Sequence, residues 1–257
     1  MLSSHGKEKG MTKSRWILVL GILLSAFPAL CRAQETEEPV KAYAGNIGAG
    51  LSLTGGNTDT ASFNVSGELT YDPETKNVMK FNGLYLRATA NDVDTTDRLS
   101  LRFRDEYSLS KHILIYGEMG YMRDPFKDIT YLLNPQGGLG FKAIVTERTK
   151  LTLNAGAGSV WEKNPDIDVQ NSGTVNAGED FSFKLSETAT VSQGFSALWK
   201  TSDFSDALYH FNVALVTSIT SRSEVKIEFI DDYKNVTPSP DIKKNDTAFI
   251  VSFLYKI

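Results

Sequence analysis

The side chains from which catalysis or metal binding would have to be assembled are few. Beyond residue 33 the chain has two histidines, His112 and His210, and no cysteine. A serine hydrolase needs a histidine beside an activated serine, and no strained G-x-S-x-G turn occurs in the sequence. Two acidic runs, DVDTTD at Asp92 to Asp97 and DID at Asp166 to Asp168, have the spacing of calcium ligands. Both lack the glycine and the terminal glutamate of a calcium loop, so they read as solvated loop charge. The expectation is a protein that is not an enzyme and carries no metal and no cofactor.

Charges that alternate with apolar residues say more. In DRLSLRFRDEYSL, Leu99, Leu101, Phe103, Tyr107 and Leu109 fall on one parity, and Arg98, Arg102, Arg104 and Glu106 on the other. Glu68, Glu118, Asp180, Lys184, Lys226 and Glu228 take the same polar parity in their own stretches, as do both histidines. A strand has period two, so the residues of one parity share one face. If these faces enclose a hydrated interior, Arg102 and Arg104 form a positive stripe able to select small anions or zwitterions. If Arg104 and Glu118, or neighbouring pairs, bridge that interior, the same residues plug it. Both readings stay open at this point.

The elements that would have to position these charges follow from composition. With 257 residues, 41% hydrophobic and 23% charged, and a mean hydropathy of −0.22, the chain is neither a bundle of membrane helices nor disordered. A membrane β-barrel fits, because only alternate residues of its strands are apolar. Lys7, Lys9, Lys13 and Arg15 lead into the apolar run WILVLGILLSAFPAL, and Cys31 and Ala33 occupy the positions a signal peptidase reads. Residues 1–33 are therefore expected to be a signal peptide, with Met11 an alternative start. A retained anchor is disfavoured, since the run contains Pro28 and is shorter than the about 20 residues of a spanning helix. Residues 34–41 then form a short periplasmic segment and residues 42–257 the barrel. Cleavage removes the one cysteine, Cys31, and leaves a chain more acidic than the net −4 of the whole. An acidic chain without a basic stripe is not expected to bind nucleic acid.

Twelve alternating stretches, an even number as in bacterial barrels, are expected at 42–54, 59–71, 77–90, 96–109, 112–122, 132–145, 149–162, 173–185, 188–200, 206–220, 223–233 and 246–257. Connections after even-numbered stretches are short, as in TERTK at Thr146 to Lys150. Those after odd-numbered stretches are mostly longer, as in DPFKDITYLLNP after Arg123 and DYKNVTPSPDIKKN after Asp231. Tyr43, Tyr71, Tyr107, Phe183 and Tyr255 fall at the trimmed end, and Tyr121, Trp161, Trp199 and Tyr209 at the elaborated end, as two interfacial girdles would. In the final stretch Phe249, Val251, Phe253, Tyr255 and Ile257 share one parity. This strand is expected to pair with the first and close the barrel, because lipid cannot satisfy an open edge. Arg87, Asp105 and Glu179 break the apolar parity and are expected near an interface or beside a register shift.

The stretches LSLTGGNTDTASFNVSGELTY, RDEYSLSKHILIYGEMGYMRDPFKD, NPQGGLGFKAI and YKNVTPSPDIKKNDTAFIVSFLYKI resemble the bacterial domain-of-unknown-function family named for salt-induced outer membrane proteins. The resemblance runs from about Ala42 to Ile257 and implies an outer-membrane barrel linked to ionic or osmotic stress. It supplies no site residues. The reading is thus an all-β, twelve-stranded antiparallel outer-membrane barrel with short periplasmic turns and longer extracellular loops. Its expected partners are outer-membrane lipids, periplasmic chaperones and the outer-membrane insertion machinery. Its expected function is a narrow passive pore for small solutes or ions. The alternatives are a closed structural barrel acting through its surface loops and a soluble exported β-sandwich.

Overall fold

A computed structural model describes residues 42–55, 60–90, 93–237 and 240–257. The leader and short segment expected over residues 1–41 lie outside these, as does Asp92 of the first acidic run. Twelve strands follow in order: β1 Tyr43–Gly55, β2 Thr60–Tyr71, β3 Asn77–Ala90, β4 Val93–Ser108, β5 Ile113–Asp124, β6 Ile129–Val145, β7 Thr149–Lys163, β8 Gln170–Lys184, β9 Ala189–Lys200, β10 Asp203–Ser218, β11 Ser223–Lys234 and β12 Asn245–Lys256. A single 3₁₀ turn, Pro125–Lys127, joins β5 to β6.

Each strand pairs antiparallel with its sequence neighbours, and β12 returns to β1 from Asn46↔Lys256 to Gly55↔Thr247, so the sheet closes. The expected closing strand is therefore the one that closes it. Strand inclination can be read from the register. The ladder that starts at Gly55, the last residue of β1, passes through Thr247, Asp231, Phe211, Phe195, Glu179, Leu153 and Phe141. It ends at Ile113, the first residue of β5 and on the opposite rim. Tilt of this kind is what closure of a twisted sheet requires.

Period two then sorts the side chains. Ile47, Leu51, Phe63, Phe81, Phe103, Leu139, Phe249 and Val251 stand exposed on the outer wall. Leu86, Leu114, Ile230, Ile250 and Leu254, of the other parity, are buried inside. A soluble barrel would hide the large apolar residues and expose the polar ones, so this wall is patterned for an apolar surrounding. Both girdles form: the Tyr43 and Tyr71 rings lie 4.7 Å apart at one rim. At the other, Trp199 stands edge-on to Tyr209 at 6.1 Å, and Tyr209 meets Tyr233 at 6.0 Å.

One expectation needs correction. The rim with connections 72–76, 109–112, 146–148, 185–188 and 219–222, called here the turn rim, is trimmed throughout. At the opposite loop rim the connections are 56–59, 91–92, 125–128, 164–169, 201–202 and 235–244, and only two of these exceed the turn-rim lengths. What reads as long loops is largely strand, since β4, β6, β8 and β10 each begin three residues earlier than expected. Segments such as Gln170 to Gly173 and Asp203 to Asp206 are polar or exposed on both faces. At Gln170 to Gly173 the ladder with β7 continues beyond the apolar belt, while at Asp203 to Asp206 the pairing with β9 is irregular, and in both segments period two disappears.

Candidate functional site

The interior is built from inward parity, and strand β4 contributes three of its cations, Arg98, Arg102 and Arg104. Arg104 is the hub of a lower belt. Its guanidinium donates to Glu106 at 2.8 Å, Glu118 at 3.1 Å and Asn154 at 2.9 Å, and its carbon lies 3.9 Å from the centre of the Tyr116 ring. Lys80 completes Glu106 at 2.9 Å, and the Gln136 amide donates to Glu118 at 2.7 Å. Asn154 passes the network on to Asp180 at 2.9 Å, so the belt runs from β3 to β8. Arg102 is held differently: its nearest carboxylate, Glu118, is 3.8 Å away and its side chain is 48% exposed.

A second group sits across from the belt. Lys226 on β11 donates to Glu228 and to Glu68 on β2, both at 3.1 Å, and Asn46 adds a contact to Glu68 at 3.4 Å. Of the ten charges given inward parity, eight are knit into ion pairs and a ninth, Asp180, accepts from Asn154. The tenth, Lys184, is exposed at the turn-rim end of β8 and joins none of these networks.

The third group, at the loop rim, crosses the barrel. Arg98 on β4 donates to Asp232 on β11 at 2.6 Å, and those strands are five steps apart around the wall. His210 Nδ1 lies 2.7 Å from the other oxygen of Asp232. Lys127, on the 3₁₀ turn, reaches Asp246 on β12 at 2.5 Å. Glu162 on β7 is 3% exposed and binds two lysines, Lys200 on β9 at 3.1 Å and Lys234 on β11. Lys200 also reaches Asp206 at 2.6 Å. Two apolar clusters lie at this level: Leu86 with Ile230, Ala248 and Ile250, and Ile129 with Leu132 and Val160.

Glu162, Lys200 and Lys234 occupy inward parity in their strands, so alternation could have found them. Lys127 could not have been found that way, because a turn carries it inward. His112, assigned to the interior by parity, lies instead in connection 109–112, exposed, with Nδ1 2.9 Å from the Lys142 carbonyl. Asp94 and Asp97 of the first acidic run are taken by Arg87 at 3.0 Å and Arg123 at 2.9 Å. Among the described residues no three His, Cys, Asp or Glu side chains converge as metal ligands. On the outer wall, Arg87 lies near the loop rim and Asp105 near the turn rim, whereas Glu179 lies deeper and accepts from Gln193 at 3.0 Å.

Breaking a buried charge cluster by removing its centre leaves the partners unpaired. Glu162→Ala is expected to cost about 3 to 5 kcal/mol, because among the described residues Lys234 then keeps no carboxylate and Lys200 keeps only Asp206. The urea midpoint of the refolded barrel measures this, and an unchanged midpoint contradicts it.

Among solved structures the chain is similar to the NanC porin, at 9% identity and a TM-score of 0.57 over 82% of this chain and 100% of that one. It is similar to the translocator domain of the autotransporter NalP from Neisseria meningitidis, at 11% identity and 0.51 over 94% and 96%. An outer membrane channel from Pseudomonas putida F1 matches at 12% identity and 0.50 over 88% and 100%. Likeness at such identities establishes the shared barrel fold. A search of curated proteins returns no match. The model of the family described as "Protein of unknown function, DUF481" matches residues 47–257, nearly the whole barrel, and the chain belongs to that family.

Proposed function

We propose that this chain is an outer-membrane β-barrel channel with a narrow, charge-lined interior for small ions or solutes. The observation that carries the reading is the inside-out patterning: large apolar side chains exposed on the wall, and both signs of charge within. In this reading the leader exports the chain, periplasmic chaperones deliver it, and the insertion machinery reads strand β12. The turn rim then faces the periplasm. Arg102 is the cation most available to a passing ion, being half exposed where Arg104 is saturated by carboxylates. The family resemblance implies a link to salt stress, and added salt would act most on Arg102, the half-exposed cation whose carboxylate is 3.8 Å away, and least on the buried pairs.

The test is conductance of the refolded chain in a planar bilayer, with a shift between unboiled and boiled gel samples as proof of folding. Steady, salt-proportional steps are expected. Arg102→Glu is expected to move the cation-to-anion permeability ratio severalfold towards cations, since one reversed charge in a narrow pore acts at short range. An unchanged ratio removes Arg102 from the ion path. A second reading, a barrel closed at its loop rim, is favoured by the Arg98–Asp232 and Lys127–Asp246 bridges. Silence from folded protein selects it.

A further inference from the structure

The outer wall carries a concavity that alternation alone does not explain. It measures about 520 Å³ and lies across β4, β5, β6 and β7. Its floor is one ladder of outward positions, Asp105↔Gly117, Gly117↔Gly137 and Gly137↔Ala157, where three successive residues project nothing beyond a methyl group. The parallel ladder Phe103↔Met119↔Pro135 forms an apolar wall beside it.

The trench climbs. Asp105 stands three residues from the turn-rim end of β4, whereas Gly137 and Ala157 stand eight residues from the turn-rim ends of β6 and β7. It therefore starts at the depth of the lower aromatic girdle, next to exposed Tyr107, and rises obliquely into the middle of the apolar belt. Asp105 closes the lower end. Its Oδ1 is buried and has no hydrogen-bond partner among the described residues. The outward positions around it are Met79, Phe103, Tyr107 and Gly117, none of them cationic. No donor in the described chain serves this carboxylate, so one from outside is favoured, and it would reach Oδ2, because Oδ1 is enclosed.

We infer that this trench is a phospholipid site that takes an acyl chain over Gly117, Gly137 and Ala157 and the ammonium of an ethanolamine head on Asp105. The apolar groove matches a hydrocarbon chain, and its lower end lies where head groups begin. The carboxylate asks for a charged N–H donor, which ethanolamine has and choline lacks. The inference rests on the proposed membrane reading, since only then does the wall meet lipid.

The experiment refolds the full chain into vesicles holding equal amounts of ethanolamine and choline phospholipids, extracts it gently, and counts retained lipids by native mass spectrometry. The expected result is one retained phospholipid, with ethanolamine favoured by about tenfold, the scale of one charge-assisted hydrogen bond. Gly117→Leu should abolish retention while leaving the barrel folded, because a Cβ there meets nothing within 4 Å. Asp105→Asn should keep a lipid and lose the head-group preference. Equal retention of both lipids, retention unaffected by Gly117→Leu, or a second copy of the chain in place of lipid overturns the site. A chain that never enters the vesicles overturns the membrane reading and this inference together. One that enters and conducts without head-group preference overturns this inference alone.

Discussion

Replacing Arg98 by alanine is expected to raise the conductance of the refolded barrel severalfold and to lower its unfolding free energy by about 3 to 5 kcal/mol. Both effects have one origin. Arg98 and Asp232 come from strands five steps apart, and their 2.6 Å contact lies across the interior rather than along the wall. The pair is 15% and 19% exposed, so water screens it poorly and the lost partner is felt. After the substitution Asp232 keeps His210, 2.7 Å away. Arg98→Ala combined with Asp232→Ala should recover part of the stability, since the Asp232 carboxylate no longer faces the space its arginine left, although His210 loses its partner, and should keep the raised conductance. Planar-bilayer recording and a urea melt on the same preparations measure the two quantities. Unchanged conductance in both variants moves the constriction to the Glu162 cluster or to the lower belt.

Gly50→Val is expected to abolish the folded barrel. A Cβ at Gly50 would lie 2.0 Å from the Val251 carbonyl oxygen and 2.6 Å from the Ser252 Cα, both backbone atoms of the paired strand. The reason for the glycine is a side-chain bridge. Ser252 on β12 donates to Asn64 on β2 at 3.1 Å, and both residues are paired with Gly50 in the strand that lies between them. Any side chain there blocks the bridge and separates β1 from β12, the seam on which closure depends. Overpacking costs about 1 to 3 kcal/mol where neighbours can move, and here the neighbour is backbone. The readout is loss of the gel shift between unboiled and boiled samples, with Gly67→Ala as control, since a Cβ at Gly67 has its nearest contact at 3.8 Å. A folded Gly50→Val barrel would show that the seam tolerates separation.

The same logic recurs on the other side of the barrel. Tyr116 donates to Asn176 at 2.9 Å, and a Cβ at Gly156, on the strand before Asn176, would meet both groups, at 2.6 and 2.9 Å. Glycines within strands commonly serve tight bends and curvature. In this fold Gly50 and Gly156 also clear space for polar side chains that reach over an intervening strand. Nothing local to Gly50 or Gly156 identifies which distant residue passes above it.

Much of the architecture was legible in the chain. Period two in segments such as TASFNVSGELTY and DRLSLRFRDEYSL reports two opposed environments at each strand, and that report needs only neighbouring residues. Strand number, the sorting of faces, the inward placement of Arg98, Arg102, Arg104, Glu106, Glu118, Asp180, Lys226 and Glu228, and the closing role of β12 follow from it. Where both faces see water, as at Gln170 to Gly173, the signal vanishes and strand reads as loop. Tertiary structure alone decided the partners. The contacts between Arg98 and Asp232, Lys226 and Glu68, and Lys127 and Asp246 depend on the inclination and stagger of twelve strands around a closed wall, a global quantity. Alternation encodes which way a side chain points; what it meets across the barrel is set by closure, and no short stretch of sequence carries that distance.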